Sequence, residues 1–256
     1  MDSPMSTIGQ SDATLRRITS LLLRGGLVEG WRLPPERELA AFLGTSRVTV
    51  RSALAALERA GLVAPRQGSG VVVRHRREWT PAALPALLRA GTEAATALEP
   101  LAVEALALRR AFARRLPAEV AGRLGAGSLD GARGLAEAAA GARGAPARLV
   151  ALDAAALRGA FEAASAWSAA WLWNDLCGAA VALAERLRGA APVAADYLAR
   201  SGALFDALER GDAATAERLL GAHLSRLDRG LLASFSSPLE PAPAGDARLG
   251  GTEGAP

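Results

Sequence analysis

The sequence has no lysine, one cysteine, two histidines, one tyrosine and only 4% aromatic residues. A lone cysteine, Cys177, excludes an internal disulfide and a multi-cysteine zinc site, and it fits a reducing compartment. No uninterrupted apolar run approaches the roughly 18 residues of a membrane-spanning helix. The polar stretch Met1 to Ser11 has no apolar core of the kind that marks a secretory signal. A cytoplasmic location without membrane contact is therefore expected. The scarcity of histidine and cysteine, with no glycine-rich phosphate loop and no paired carboxylates at useful spacing, argues against an enzyme.

The charge that is present is unevenly placed. Every one of the 30 basic residues is arginine, and a formal net charge of +4 goes with a pI near 10.6, because guanidinium stays protonated at any relevant pH. Residues 1–77 hold 12 arginines against 6 acids, a net of +6, and residues 78–256 hold 18 against 20, a net of −2. A basic N-terminal part on a near-neutral body is the footprint of a nucleic-acid binder. The same imbalance also occurs on plain solvated faces, so it needs a motif beside it.

Apolar spacing and breakers supply the organisation. Residues 1–11 read as a disordered tail. Asp12 can cap a helix carrying Leu15, Ile18 and Leu22, which Gly25-Gly26 ends. A second helix opens at Pro35, whose missing N–H costs nothing in a first turn. Glu36 and Glu38 complement its dipole, Leu39, Phe42 and Leu43 form its buried stripe, and Gly44 stops it. After this tight break, Thr45 or Ser46 caps a third helix with Val50, Leu54 and Leu57 facing inward, ended by Gly61. Two short β-runs, 62–64 and 71–73, flank a turn-rich stretch, Pro65 to Gly70. Residues 12–74 thus read as a winged helix-turn-helix domain, three helices plus a β-hairpin wing, followed by a linker at 75–80. Residues 81–235 are rich in Ala, Leu and Arg. Helical segments fall at about 92–115, 117–125, 128–141, 147–166, 168–188, 193–210 and 212–234, without strand alternation. Residues 236–256, rich in Pro, Gly and Ala, read as a second disordered tail. The expected fold class is mainly α, a winged helix-turn-helix followed by an all-α helical bundle.

The third helix carries the candidate DNA contacts. Arg47 and Arg51 lie one turn apart, away from the apolar stripe, and arginine is the commonest reader of guanine O6 and N7. Ser46 and Thr49 at the helix start suit phosphate contacts and serve equally as caps. Arg37, early in the preceding helix, is placed to reach a base or a phosphate; its competing use is an ion pair with Glu38 or Glu58. Gln67 and Gly68 stand at the wing tip, where a glycine allows close backbone approach to the minor groove.

These motifs resemble one family. Leu33-Pro34-Pro35-Glu36-Arg37-Glu38-Leu39-Ala40, Ser46 to Leu54 (SRVTVRSAL), Leu57 to Val63 (LERAGLV) and Gly68-Ser69-Gly70 together look like the GntR family of bacterial transcription regulators. The resemblance implies that Arg37, Arg47, Thr49, Arg51 and Gly68 touch an operator, and that Val48 tunes base preference. The all-α region resembles the FadR/FCD subfamily, through Leu98-Glu99-Pro100-Leu101-Ala102, Ala151-Leu152-Asp153 with Phe161 to Ser165, and Ala207 to Ala216 with His223-Leu224. That subfamily implies a homodimer on a pseudo-palindromic double-stranded DNA operator, commonly a repressor, with a small-molecule effector bound in the bundle. Many of its members hold a divalent metal through one Asp and three His. Here Asp153 and His223 match, but Leu157 and Ser201 stand where histidines are usual, and Ala95-Thr96 replaces an arginine pair. No metal and no other cofactor is expected, with Asp153 and His223 left as a hydrogen-bonded pair or at a pocket edge. Trp167 and Trp171 share a helix face and would line an apolar effector pocket, or else fill the core with Trp173. The competing functional reading is an effector-independent DNA-binding dimer with a degenerate ligand domain.

Overall fold

A computed structural model of the chain describes residues 4–66, 70–90, 95–142, 144–187 and 195–236. They fall into two compact units, one running through Leu98 and the other beginning at Glu99.

The N-terminal unit contains α1 (Pro4–Leu23), α2 (Glu36–Leu43), α3 (Arg47–Arg59), β1 (Val63–Arg66), β2 (Gly70–Val73) and the short α4 (Leu84–Leu88). Ile18 and Leu22 of α1, Leu39 and Leu43 of α2, and Val50, Ala53 and Leu57 of α3 are all buried, so the three apolar stripes form one core. The break between α2 and α3 is set by Gly44. Its φ of 63° is left-handed, a conformation in which glycine avoids the Cβ clash. The Thr45 N–H then returns to the Ala40 carbonyl at 3.0 Å. Arg17 of α1 closes the same corner, donating to the Leu43 carbonyl at 3.3 Å and lying over the Phe42 ring.

β1 and β2 pair antiparallel, with Val63 opposite Val73 and Arg66 opposite Gly70. The segment 30–33 adds to the other edge of β2: Gly30 N–H donates to the Val73 carbonyl and Leu33 N–H to the Val71 carbonyl, each at 2.8 Å. Sequence periodicity did not reveal this third edge, because so short a run has no alternation to detect.

Three expectations shift. The tail assigned to residues 1–11 is helical from Pro4 onward. Pro4 is tolerated in a first turn, and no helix breaker other than Gly9 intervenes before Asp12, which therefore lies inside α1 instead of capping it. The linker expected at 75–80 contains a 3-10 turn at Arg76–Glu78, and a second follows at Pro81–Ala83. The unit boundary lies at 98/99 instead of 80/81. Leu87 and Leu88 of α4 are buried, and α4 packs on α1, so that helix belongs to the first unit. The expected tail at 236–256 lies outside the described residues apart from Ser236, the last residue of its helix.

The regular elements of the second unit among its described residues are all helices: α5 (Ala95–Ala113) from Glu99 onward, α6 (Leu116–Val120), α7 (Asp130–Gly141), α8 (Pro146–Ala163), α9 (Trp167–Ala184), α10 (Tyr197–Glu209) and α11 (Ala213–Ser236). Its core gathers Leu116, Leu157, Phe161, Trp173, Phe205 and Leu220 among many alanines. Small residues let the helices approach closely; a Cβ placed on Gly159 of α8 would meet the Ala132 methyl of α7 at 3.4 Å. Trp173 fills the larger gaps. Its ring lies 6.5 Å from Phe112 and 6.4 Å from Phe161, and its indole N–H donates to the Ala154 carbonyl at 2.8 Å. Asp212 caps α11 by accepting from the Thr215 N–H. Glu209 ties α10 to α7, accepting from the Leu129 N–H and from Arg133.

Candidate nucleic-acid interface

α3 is strongly two-faced. Thr49, Val50, Ala53, Leu54 and Leu57 are buried, whereas Arg47, Val48, Arg51 and Ser52 are exposed. Val48 is a large apolar side chain that is 68% exposed. On a recognition surface it offers a methyl-bearing contact for thymine. Arg47 makes no hydrogen bond or ion pair with any described residue. Arg37, exposed in the first turn of α2, is equally unengaged, so neither Glu38 nor Glu58 holds it. Both guanidinium groups are available to a ligand.

Ser46 is the N-cap of α3. Its Oγ accepts from the Thr49 N–H at 3.1 Å and lies 2.7 Å from Thr49 Oγ1. Ser46 itself is exposed. Thr49 is only 2% exposed, and its N–H and hydroxyl both engage Ser46 in the cap. The reason for its burial is helical phase: position 49 falls on the same side as Val50 and Ala53. Gln67 and Gly68 lie outside the described residues.

Arg51 is held. Its Nε donates to Glu36 Oε1 at 3.0 Å and its Nη2 to Glu36 Oε2 at 2.7 Å, a two-point bond from α3 to the first turn of α2. The hydrogen bond from Arg51, its charge and that of Arg47 hold the Glu36 carboxyl below the usual carboxylate range, despite some desolvation. Sequence reading gave Glu36 only a helix-dipole role; the two positions are 15 residues apart, and only the fold of the α2–α3 corner joins them.

In the helical unit the expected effector-pocket residues separate into two groups. Trp167 and Trp171 are 51% and 65% exposed on the outer face of α9, so they form no interior pocket wall; Trp173 occupies the core instead. Asp153, Leu157, Ser201 and His223 are all buried. Asp153 and His223 are bonded, His223 Nε2 lying 2.7 Å from Asp153 Oδ1, and the Tyr197 hydroxyl donates to the same oxygen at 2.7 Å. Burial alone would raise the Asp153 carboxyl; the charge and hydrogen bond of His223, the Tyr197 hydroxyl and the charge of Arg109 outweigh it and hold it below its ordinary value. An ionised carboxylate only accepts, so His223 Nε2 is the donor. Tyr197 escaped the sequence reading, although it sits one helical turn from Ser201, whose Oγ donates to the Tyr197 carbonyl.

A second buried ion cluster was also missed: Arg109 and Arg110 of α5 both bond Asp228 of α11, with Arg109 and Asp228 almost wholly buried. Cys177 is buried, and desolvation pushes its thiol up to about 12, which makes it inert.

These donors do not fit a divalent metal. A zinc-type site with His and Asp ligands takes three or four protein side chains. Here Leu157 has no donor atom, Ser201 is turned to its own helix, and no group of three or more His, Cys, Asp or Glu suited to a metal occurs among the described residues. None of the expected pocket residues lines a groove that this unit carries on its surface. That groove is an open cleft of about 590 Å³ between α5 and α11, walled by Arg110, Arg114, Glu217 and Arg218 with small residues between. No helix among the described residues is long and apolar enough to cross a membrane.

Comparison with known proteins agrees with this geometry. Residues 10–73 match the family model described as bacterial regulatory proteins, gntR family. Over 73 residues the chain is 45% identical to an uncharacterised HTH-type transcriptional regulator of Mycobacterium tuberculosis, a match covering 28% of this chain and 30% of that protein. Over 65 residues it is 42% identical to the HTH-type transcriptional repressor NanR of Klebsiella aerogenes, covering 25% of each. The chain thus spans under a third of the length of the curated relatives it matches. Among solved structures, Lar of Listeria monocytogenes, described as controlling expression of the agr system and mediating virulence, superposes with a TM-score of 0.54 at 14% identity. That match covers 86% of this chain and 95% of Lar, and it shows a shared fold. The chain carries, in residues 10–73, a DNA-binding domain of the GntR family of bacterial regulatory proteins.

Proposed function

We propose that the protein is a cytoplasmic, sequence-specific transcription regulator of the FadR/FCD type, acting as a homodimer on a pseudo-palindromic operator and repressing its target. The observation that carries this reading is the exposed face of α3, which presents Arg47, Val48 and Arg51, with the exposed Arg37 in the first turn of α2 as a further candidate contact. Ser46 adds a capped helix start, a favourable place for a phosphate, and the undescribed residues Gln67 and Gly68 complete the expected contact set at the wing. Recognition helices of a dimer meet half-sites about one helical turn apart. Selection from random-sequence duplexes tests this: an inverted repeat should be enriched, and a flat pool would refute it.

The helical unit is assigned the modulating role, taking a small-molecule effector without a metal. The bonds of His223 Nε2 and the Tyr197 hydroxyl to Asp153, with no third metal donor beside them among the described residues, support the metal-free assignment, while the buried His223 Nδ1 has no partner among those residues. The engagement of Asp153 by two protein donors also favours the second reading, an effector-independent dimer, because that carboxylate is then already occupied by protein. Thermal melting against a panel of small acids, acyl thioesters and aromatic compounds separates the two. A shift with one class supports an effector, and none with any class supports the second reading.

A further inference from the structure

Arginine has two edges that can form paired hydrogen bonds: the side edge, Nε with Nη2, and the end edge, Nη1 with Nη2. In Arg51 the side edge is taken by Glu36, at 3.0 and 2.7 Å. The two N–H groups of Nη1 and the outward N–H of Nη2 have no partner among the described residues. That free edge has the spacing that guanine O6 and N7 require. The Arg51 side chain is 65% exposed, so the end edge faces solvent while the side edge is fixed.

From this geometry we infer that Glu36 is a specificity-determining positioning residue: it aims Arg51 so that its end edge reads a guanine, without itself touching DNA. The inference rests on α3 being the recognition helix. Three consequences follow from the arrangement. Glu36 lies in the first turn of α2, on the far side of the Gly44 corner, so the bond locks the guanidinium to the frame of the helix pair. An unheld arginine would lose rotamer freedom on meeting its base, and one already held loses less. Finally, a fixed guanidinium cannot swing to a neighbouring base or phosphate, so a mismatch leaves its donors unpaired and is rejected more strongly.

The charge of Glu36 makes the alternative distinguishable. If Glu36 merely competed with DNA for Arg51, neutralising it would free the arginine and tighten specific binding. If it positions Arg51, neutralising it loosens specific binding at one base pair only.

The test uses the full chain and a duplex enriched from a random-sequence pool by the unaltered protein. Affinity is measured for that duplex, for a set with each base pair replaced in turn, and for a scrambled duplex, using Glu36→Gln, Arg51→Ala and the double variant. Arg51→Ala should lower discrimination at one base pair of each half-site by roughly 5- to 150-fold. Glu36→Gln should lower it at the same base pair by about fivefold or more. The affinity of Glu36→Gln for scrambled duplex should be unchanged or slightly higher, and its melting midpoint unchanged. The double variant should be no worse than Arg51→Ala. If Arg51→Ala leaves every base pair equally well read, the recognition role of Arg51 fails and the inference falls with it. If Arg51→Ala removes discrimination but Glu36→Gln keeps it or increases it, the role of Glu36 alone is overturned. A Glu36→Gln loss spread equally over all duplexes, or matched by a fall in melting midpoint, would also overturn it.

Discussion

Replacing Asp153 by alanine probes the buried cluster of the helical unit most sharply. Asp153 Oδ1 accepts two hydrogen bonds, from Tyr197 and from His223, each at 2.7 Å, and all three side chains are buried. Alanine leaves both donors without their partner in a buried site. A buried polar group stripped of its partner costs about 1–3 kcal/mol, so two cost about 2–6 kcal/mol. At roughly 2–4 °C per kcal/mol for a domain of this size, the melting midpoint of the helical unit should fall by roughly 10 °C. Tyr197→Phe removes one donor along with its need for a partner, and should cost only about 1 kcal/mol. Combining the two changes should cost less than their sum, since the phenylalanine has no donor left to orphan. The assay is urea and thermal unfolding of the full chain, followed by circular dichroism. An Asp153→Ala protein melting within about 1 kcal/mol of the unaltered one would refute the reasoning, because the donors would then be satisfied by something other than Asp153.

Other expectations follow from the same coordinates. Asp153 has a lowered folded pKa, so its contribution to stability is full above the ordinary aspartate value of about 3.9 and is lost as pH falls through the lowered folded value; Asp153→Asn should flatten that acid limb of the stability curve. Adding a chelator should leave the melting midpoint unmoved, whereas a fall would restore the metal that the donor set argues against. Ser46→Ala should destabilise the N-terminal unit by about 1 kcal/mol, through loss of the α3 cap, seen as a lower urea midpoint for that unit. Trp173→Ala should cost about 3–5 kcal/mol, while Trp171→Ala, on an exposed face, should stay within about 0.5 kcal/mol; equal effects in denaturant titration would contradict the placement of the two rings.

Much of this was legible in the chain. Gly44 and Gly61 marked the ends of α2 and α3, and the Val50/Leu54/Leu57 spacing fixed which face of α3 is exposed, so Arg47 and Arg51 could be named from sequence. The same phase places Thr49 on the buried side, with Val50 and Ala53. What sequence could not show depends on long-range meetings. Glu36 with Arg51, Tyr197 with Asp153, and Arg109 with Asp228 are joined by packing across 15, 44 and 119 positions. The tryptophans of α9 were ambiguous for a different reason. Their helix is apolar nearly all round, so periodicity does not identify the inward face, and only the neighbours Phe112 and Phe161 decide that Trp173 is the core residue. The boundary at 98/99 was hidden because α4 is too short to show a stripe of its own.

The exposed face of α3 is proposed to read base edges. This role is tested most directly by measuring the affinity of the full chain for a duplex selected from random sequence and for a scrambled duplex, at fixed salt, with and without Arg47→Ala. A preference of at least about a thousandfold for the selected duplex is expected. Arg47→Ala should lower that preference by roughly 5- to 150-fold while leaving scrambled binding reduced only modestly. A protein that binds both duplexes alike, or an Arg47→Ala variant that weakens both by the same factor, would contradict it.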